Sequence, residues 1–208
     1  MKHIDIRDKR GSAKDHALEV KERKLLEDNL SKQDKIIYIL GSYAGMRVEE
    51  IEQMRFSWLE WIQFDDKKIL AINIPNKDRN VRNKLKQFKT KNKDSRTTYI
   101  FNPEFATYVY TWYETHEDGL KISRQAIWKR VKKWNKLLNR ENNSLHPHAL
   151  RSTAQNIWKF ELGFDDVFIQ LCFGWGDMNT MITHYRTMNK ASGESYLYQQ
   201  LKNKKNDR

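Results

Sequence analysis

Two arginines, a histidine, a tryptophan and a tyrosine stand along this 208-residue chain in the order Arg47, His148, Arg151, Trp175, Tyr185, each inside a short motif. Arg47 lies in Gly45-Met46-Arg47-Val48-Glu49-Glu50, and His148 and Arg151 lie in His146-Pro147-His148-Ala149-Leu150-Arg151-Ser152-Thr153. Trp175 follows Phe173-Gly174, and Tyr185 sits in Thr183-His184-Tyr185-Arg186. These residue types suit a site that breaks a phosphodiester with a tyrosine nucleophile and no metal. Such a reaction needs a nucleophile, charge stabilisation for a phosphorane-like state, a base and an acid. A guanidinium donates paired hydrogen bonds to non-bridging oxygens and keeps its charge. A phenol ionises near pH ~10, so it needs cationic neighbours or a base to attack near neutrality. An indole N–H can donate to a phosphate oxygen but cannot accept or shuttle a proton.

The elements that must position these groups follow from periodicity and caps. Residues 1–16 are charged and aperiodic and read as a loose arm. A helical pattern spans Ala17 to Leu30. Ser31 stands three residues before Asp34 and opens a second helix with an apolar stripe of Ile36, Ile37, Leu40 and Ala44. Gly45 ends that helix and Val48 to Met54 forms the next, so Arg47 sits at a helix junction. Strands are predicted over Trp58–Phe64, Lys68–Pro75 and Arg96–Phe101, with the basic segment Lys77 to Arg96 between the last two. Asn102-Pro103 and Ser123 open two more helices. A helix from Pro147 to about Leu162 carries His148 and Arg151, three residues apart, on one face, with His146 in a loop or capping role. Shorter helices follow over Asp165–Phe173, Met178–Tyr185 and Tyr196–Leu201, before a basic tail at 202–208.

The formal charge of +12 points to an anionic partner, and its arrangement points to nucleic acid. The helix opened by Ser123 places Ile127, Val131, Trp134 and Leu138 on one side and Lys129, Lys132, Lys133, Lys136 and Arg140 on the other. No acid occurs between Lys121 and Arg140, so this face, with Arg124, Lys93 and Arg96, is expected to lie along a phosphate backbone. The single cysteine, Cys172, sits in an apolar run and reads as a buried core thiol. One Cys and six scattered His offer no metal cluster. No apolar leader opens the chain, and no run approaches the ~20 apolar residues of a membrane span, so a soluble, cytoplasmic protein is expected.

From about Leu25 to Arg186 the motifs resemble the catalytic domain of the tyrosine recombinases, which include phage integrases, Xer recombinases and small fimbrial invertases. The resemblance implies a mainly α fold with a small antiparallel β-sheet (α+β), with the catalytic domain over residues 17–201. It assigns Arg47 and Arg151 to phosphate stabilisation, His148 to the tyrosine's proton or the phosphate, and Tyr185 to nucleophilic attack. Trp175 stands where most members carry a histidine, which keeps oxygen binding and removes proton transfer. Glu50 falls where the family carries an acidic residue that orients an active-site cation. The family's general acid is a lysine before the third strand. Lys91 aligns better with the Xer-like pattern and Lys89 with integrases, and the choice leans narrowly to Lys91.

The implied reaction cleaves and rejoins DNA through a 3′-phosphotyrosyl link, with no cofactor. The implied partners are double-stranded DNA attachment sites and further copies of the chain, a tetramer on DNA and a monomer when free. The implied setting is a prokaryote or its virus or plasmid, acting on host DNA. The stretch before Arg47 is too short for the separate core-binding domain of most members. A DNA-binding regulator or integrase remnant without turnover is the alternative, and a type IB topoisomerase-like activity is a closer cousin.

Overall fold

The computed structural model describes residues 16–64, 67–75, 95–140 and 144–175. The expected arm apart from His16, the helices expected over Met178–Tyr185 and Tyr196–Leu201, the basic tail, and Lys89, Lys91, Lys93 and Tyr185 lie outside the described residues. Three helices come first: α1 (Val20–Asn29), α2 (Lys32–Ser42) and α3 (Val48–Gln53). Strands β1 (Leu59–Phe64), β2 (Lys67–Ile74) and β3 (Arg96–Ile100) follow, then α4 (Pro103–Glu114), α5 (Arg124–Leu137), α6 (Pro147–Asn156) and α7 (Asp166–Phe173). The fold is mainly helical with one small antiparallel sheet, as the resemblance implied.

Each predicted cap is in place. Ser31, Asn102 and Ser123 accept from the backbone N–H groups of Asp34, Phe105 and Ala126, and Asp165 accepts from Phe168. These bonds satisfy donors that have no partner within the helix. α2 departs from the expected single stripe, because Ile36, Ile37, Tyr38, Ile39 and Leu40 are all fully buried. It packs against α3, α4 and α6 and so forms the centre of the core. Burying each large apolar side chain there contributes about 1.5–3 kcal/mol before entropy is counted. At Gly41 a Cβ would lie 3.0 Å from Leu150, so the missing side chain lets α6 cross α2 closely.

The sheet runs β1-β2-β3, with Leu59 opposite Ile72 and Leu70 opposite Ile100. α4 packs on β2 and β3, and α7 packs on β3. The helix expected from Pro147 to Leu162 divides in two. After Asn156 it widens into a π-turn over Ile157–Glu161, where Leu162 N–H bonds to the Ile157 carbonyl. That turn buries Ile157, Trp158 and Phe160 together, and Trp158 donates its indole N–H to the Tyr43 carbonyl at 2.7 Å. Apolar spacing alone does not separate a π-turn from continued α-helix. No helix among the described residues is long and apolar enough to cross a membrane.

Candidate active site

Three arginines from separate elements converge on the C-terminal end of α7. Arg47 caps the N-terminus of α3, Arg96 begins β3, and Arg151 lies in the second turn of α6. Helix C-termini leave carbonyls unpaired and carry partial negative charge, so they attract cationic donors. Here three successive carbonyls are each taken by a different arginine. Arg96 donates to Cys172, Arg151 to Phe173, and Arg47 to Gly174 at 2.7 Å. Arg151 also donates to the Gly45 carbonyl, which ties α6 to the turn before Arg47.

Gly174 makes this approach possible. It adopts the left-handed conformation (φ +63°), and a Cβ there would lie 2.7 Å from Arg96 Cδ and 3.6 Å from an Arg47 nitrogen. Trp175 follows, buried, with its ring against Arg151. The Arg151 guanidinium carbon lies 4.9 Å from the Trp175 ring centroid and 5.0 Å from that of Phe173, within cation–π range.

One carboxylate sits among these cations. Glu50 is 1% exposed and accepts from the Arg47 backbone N–H at 2.7 Å and from Arg47 Nη1 at 3.1 Å. Arg96 supplies a second pair of donors to the same two oxygens. Burial alone would raise the Glu50 carboxyl's pKa, but Arg96, Arg151 and Arg47, in that order, hold it below its ordinary value of 4.5. Among the described residues, three guanidiniums stand around one carboxylate in a largely dry setting. Arg47 is the most open of the three, its side chain 16% exposed against 6% for Arg96, while Arg151 as a whole residue is 1% exposed. An anionic oxygen reaching this cluster would meet Arg47 first.

His148 is exposed on the first turn of α6, whereas Arg151, one turn on, is buried, so the two do not share the same environment. His146 takes the capping role expected of it, Nδ1 accepting from the Ala149 N–H at 3.4 Å. Its ring stacks on Trp128, and burial, then His148, His16 and Lys132, push its pKa down to about 4. A neutral ring is needed, because protonated Nδ1 cannot accept. The unfolded chain, with His146 near 6.5, therefore binds the proton first. Stability should fall as pH drops from about 6.5 to about 4, with no further loss from this group below that. His146→Asn keeps an N-cap acceptor and is expected to flatten that part of a stability–pH profile followed by urea unfolding.

The helix expected to lie along DNA is only partly available. Its sequence holds no acid, but other elements bring acids to it. Arg124 pairs with Glu49 at 2.8 Å, Arg130 with Asp34 at 3.1 Å, and Arg140 with Glu22 at 2.6 Å. Arg140 also donates to the His16 and Ala17 carbonyls and faces α1, contrary to its expected place on the basic face. Arg124 keeps about half of its side-chain surface exposed. Lys129, Lys132, Lys133 and Lys136 remain exposed, and Lys132 is close enough to His146 to lower its pKa. The lysine face therefore borders His146 at the start of α6.

Arg96 differs most from its expected role. Its side chain is turned inward and committed to Glu50 and Cys172, not to the surface. The period-two pattern of β3 contained that signal, since Arg96 shares a face with buried Thr98 and Ile100. Cys172 is a buried free thiol whose pKa burial pushes up to about 12, as a core residue should be.

The fold is similar to solved structures of recombinases and an integrase. XerA recombinase matches with a TM-score of 0.61 at 18% identity, over 88% of this chain and 62% of that one. XerH site-specific recombinase, bound to palindromic difH substrate in a post-cleavage complex, gives 0.59 at 16%, over 86% and 51%. The Tn1549 transposon integrase in complex with transposon right-end DNA gives 0.51 at 16%, over 88% and 65%. This chain thus spans between half and two thirds of the length of those proteins. No curated protein sequence matches it. The phage integrase family model matches residues 17–192, a span that includes the arginine cluster and the tyrosine motif, and the chain belongs to that family.

Proposed function

We propose that this chain is the catalytic domain of a site-specific DNA recombinase that cleaves and rejoins strands through a 3′-phosphotyrosyl link, without metal. The observation that carries this reading is the arginine cluster, three fixed cations around Glu50 with Arg47 open at its edge. Preorganised cations of this kind are typically the largest catalytic term in reactions that build charge on oxygen. Tyr185 attacks the phosphorus and forms the phosphotyrosyl bond while the bond to the 5′ oxygen breaks. His148 takes the phenol proton or bonds the phosphate, and Lys91, or Lys89 in the other register, protonates the departing 5′ oxygen. Arg47 and Arg151 hold the non-bridging oxygens, and the Trp175 indole N–H donates to one of them once the ring moves off Arg151. A 5′ hydroxyl from a partner strand then reverses the step, so the bond energy is conserved.

DNA is held by Lys129, Lys132, Lys133 and Lys136, with Lys93 and Arg124 contributing, so binding is steep in salt. Active copies assemble as tetramers on paired attachment sites and are monomers when free. The protein acts in the cytoplasm of a prokaryote, encoded there or by its virus or plasmid. A second reading, a DNA-binding remnant without turnover, is favoured by Arg151 being covered and bonded within the protein.

The test is a covalent trap on a nicked duplex carrying the presumed attachment site, in chelator, with Tyr185→Phe run beside it. The expected result is a protein–DNA adduct on a denaturing gel. Trypsin should place the linkage in the peptide Phe160–Arg186, whose only tyrosine is Tyr185. No adduct on a nicked duplex carrying the cognate attachment site, with duplex binding intact, would favour the remnant reading instead.

A further inference from the structure

Arg96 makes two kinds of contact that a DNA-binding arginine would not. One edge of its guanidinium faces Glu50, with Nη2 donating to Oε2 and Nε to Oε1 at 3.4 Å. Its remaining nitrogen, Nη1, donates to the Cys172 carbonyl. Glu50 is thereby shared evenly, each oxygen accepting one bond from Arg96 and one from Arg47. A carboxylate has about four acceptor positions, so Arg96 and Arg47 together account for them. Arg47 takes its orientation from Glu50 and the Gly174 carbonyl; Arg96 holds the first directly and, through the Cys172 carbonyl, the α7 end that carries the second. The Cβ-less Gly174 packs against the Arg96 side chain, and the Cys172 carbonyl lies two residues before the one that Arg47 uses.

We propose that Arg96 is a positioning residue for strand cleavage, fixing the Glu50 carboxylate and the α7 end so that Arg47 is held ready for phosphate, and that it does not touch DNA. The activity part rests on the recombinase reading above. The placement of Arg47 does not. A lysine at this position keeps the charge but has one point of donation where the guanidinium has a planar fork, so it cannot hold the carboxylate and the carbonyl at once.

The experiment compares the native chain with Arg96→Lys in the rate of covalent adduct formation at saturating protein and the Nε–Hε resonance of Arg47, and with Arg96→Gln in the salt dependence of duplex binding. The expected result is an unchanged salt slope, a rate lowered about 10²-fold as for a displaced catalytic group, and a shifted Arg47 resonance. A phosphate contact would instead reduce the salt slope of Arg96→Gln, which removes the charge, by about one and leave the saturated rate of Arg96→Lys alone, which would overturn the proposal. An Arg47 resonance that stays put, with a saturated rate within twofold of native, would overturn it too.

If Arg96→Lys does not fold, titrating the native chain with duplex DNA decides the point. The Arg47 resonance should move and the Arg96 resonance should stay, and the reverse would overturn the proposal. A native chain that forms no adduct would count against the recombinase reading alone, because the Arg47 resonance in Arg96→Lys still tests the positioning role.

Discussion

Replacing Arg151 with lysine is expected to slow strand cleavage by at least 10²–10³-fold, the scale on which a preorganised charge donor acts, and to lower stability as well. Arg151 is 1% exposed and donates to the carbonyls of Gly45 and Phe173 while its guanidinium faces the rings of Phe173 and Trp175. Lysine keeps the charge but cannot span two carbonyls in different directions, and a buried acceptor left without a donor costs about 1–3 kcal/mol. Loss of the flat stacking surface adds about 0.5–2 kcal/mol. The check is a single-turnover adduct assay at a temperature where the variant is folded, beside a urea midpoint. A variant that cleaves within tenfold of native would remove Arg151 from the proposed chemistry.

The largest stability effect is expected at Glu50. Glu50→Gln keeps the shape and removes the one carboxylate that, among the described residues, Arg47 and Arg96 share, so buried guanidinium charge loses that compensation. Breaking a buried pair in this way typically costs about 3–5 kcal/mol. The pH dependence follows from the lowered pKa. Because the folded state holds the carboxylate below 4.5, the unfolded chain takes up the proton first. The stabilisation is therefore fully present above about 4.5 and is lost as pH falls through the folded value. Urea unfolding at a series of pH values should show native and variant furthest apart near neutrality and converging in acid. That window lies below most of the His146 window, between about 6.5 and about 4, so the two groups are separable in one profile. Equal midpoints at neutral pH would mean that the cluster does not depend on this carboxylate.

Helix starts were legible because capping is local: Ser31, Asn102, Ser123 and Asp165 each bond within three residues. Strand positions were legible from apolar runs closed by Pro75 and by the Asn102-Pro103 cap. Features that depend on distant partners were not. The α5 window showed unbroken positive charge, yet the acids that pair with its arginines come from α1, α2 and α3. The basic run before β3 drew Arg96 towards DNA, while its fold partner, Glu50, stands 46 residues earlier. Glu50 was named as the partner of a cation through the family resemblance, and its bond to Arg47 spans three residues.

The anchors of the arginine cluster at residues 172–174 are main-chain oxygens. At Cys172 and Phe173, unlike Gly174, a point substitution exchanges a side chain and leaves the carbonyl where it was. Cys172 and Phe173 can therefore drift in evolution without erasing the acceptors, provided the replacement packs. Inserting or deleting one residue in this stretch would instead rotate the carbonyls away from their donors. Tolerance to exchange and intolerance to changes in length are the pattern expected where the solved relatives keep the fold at only 16–18% identity.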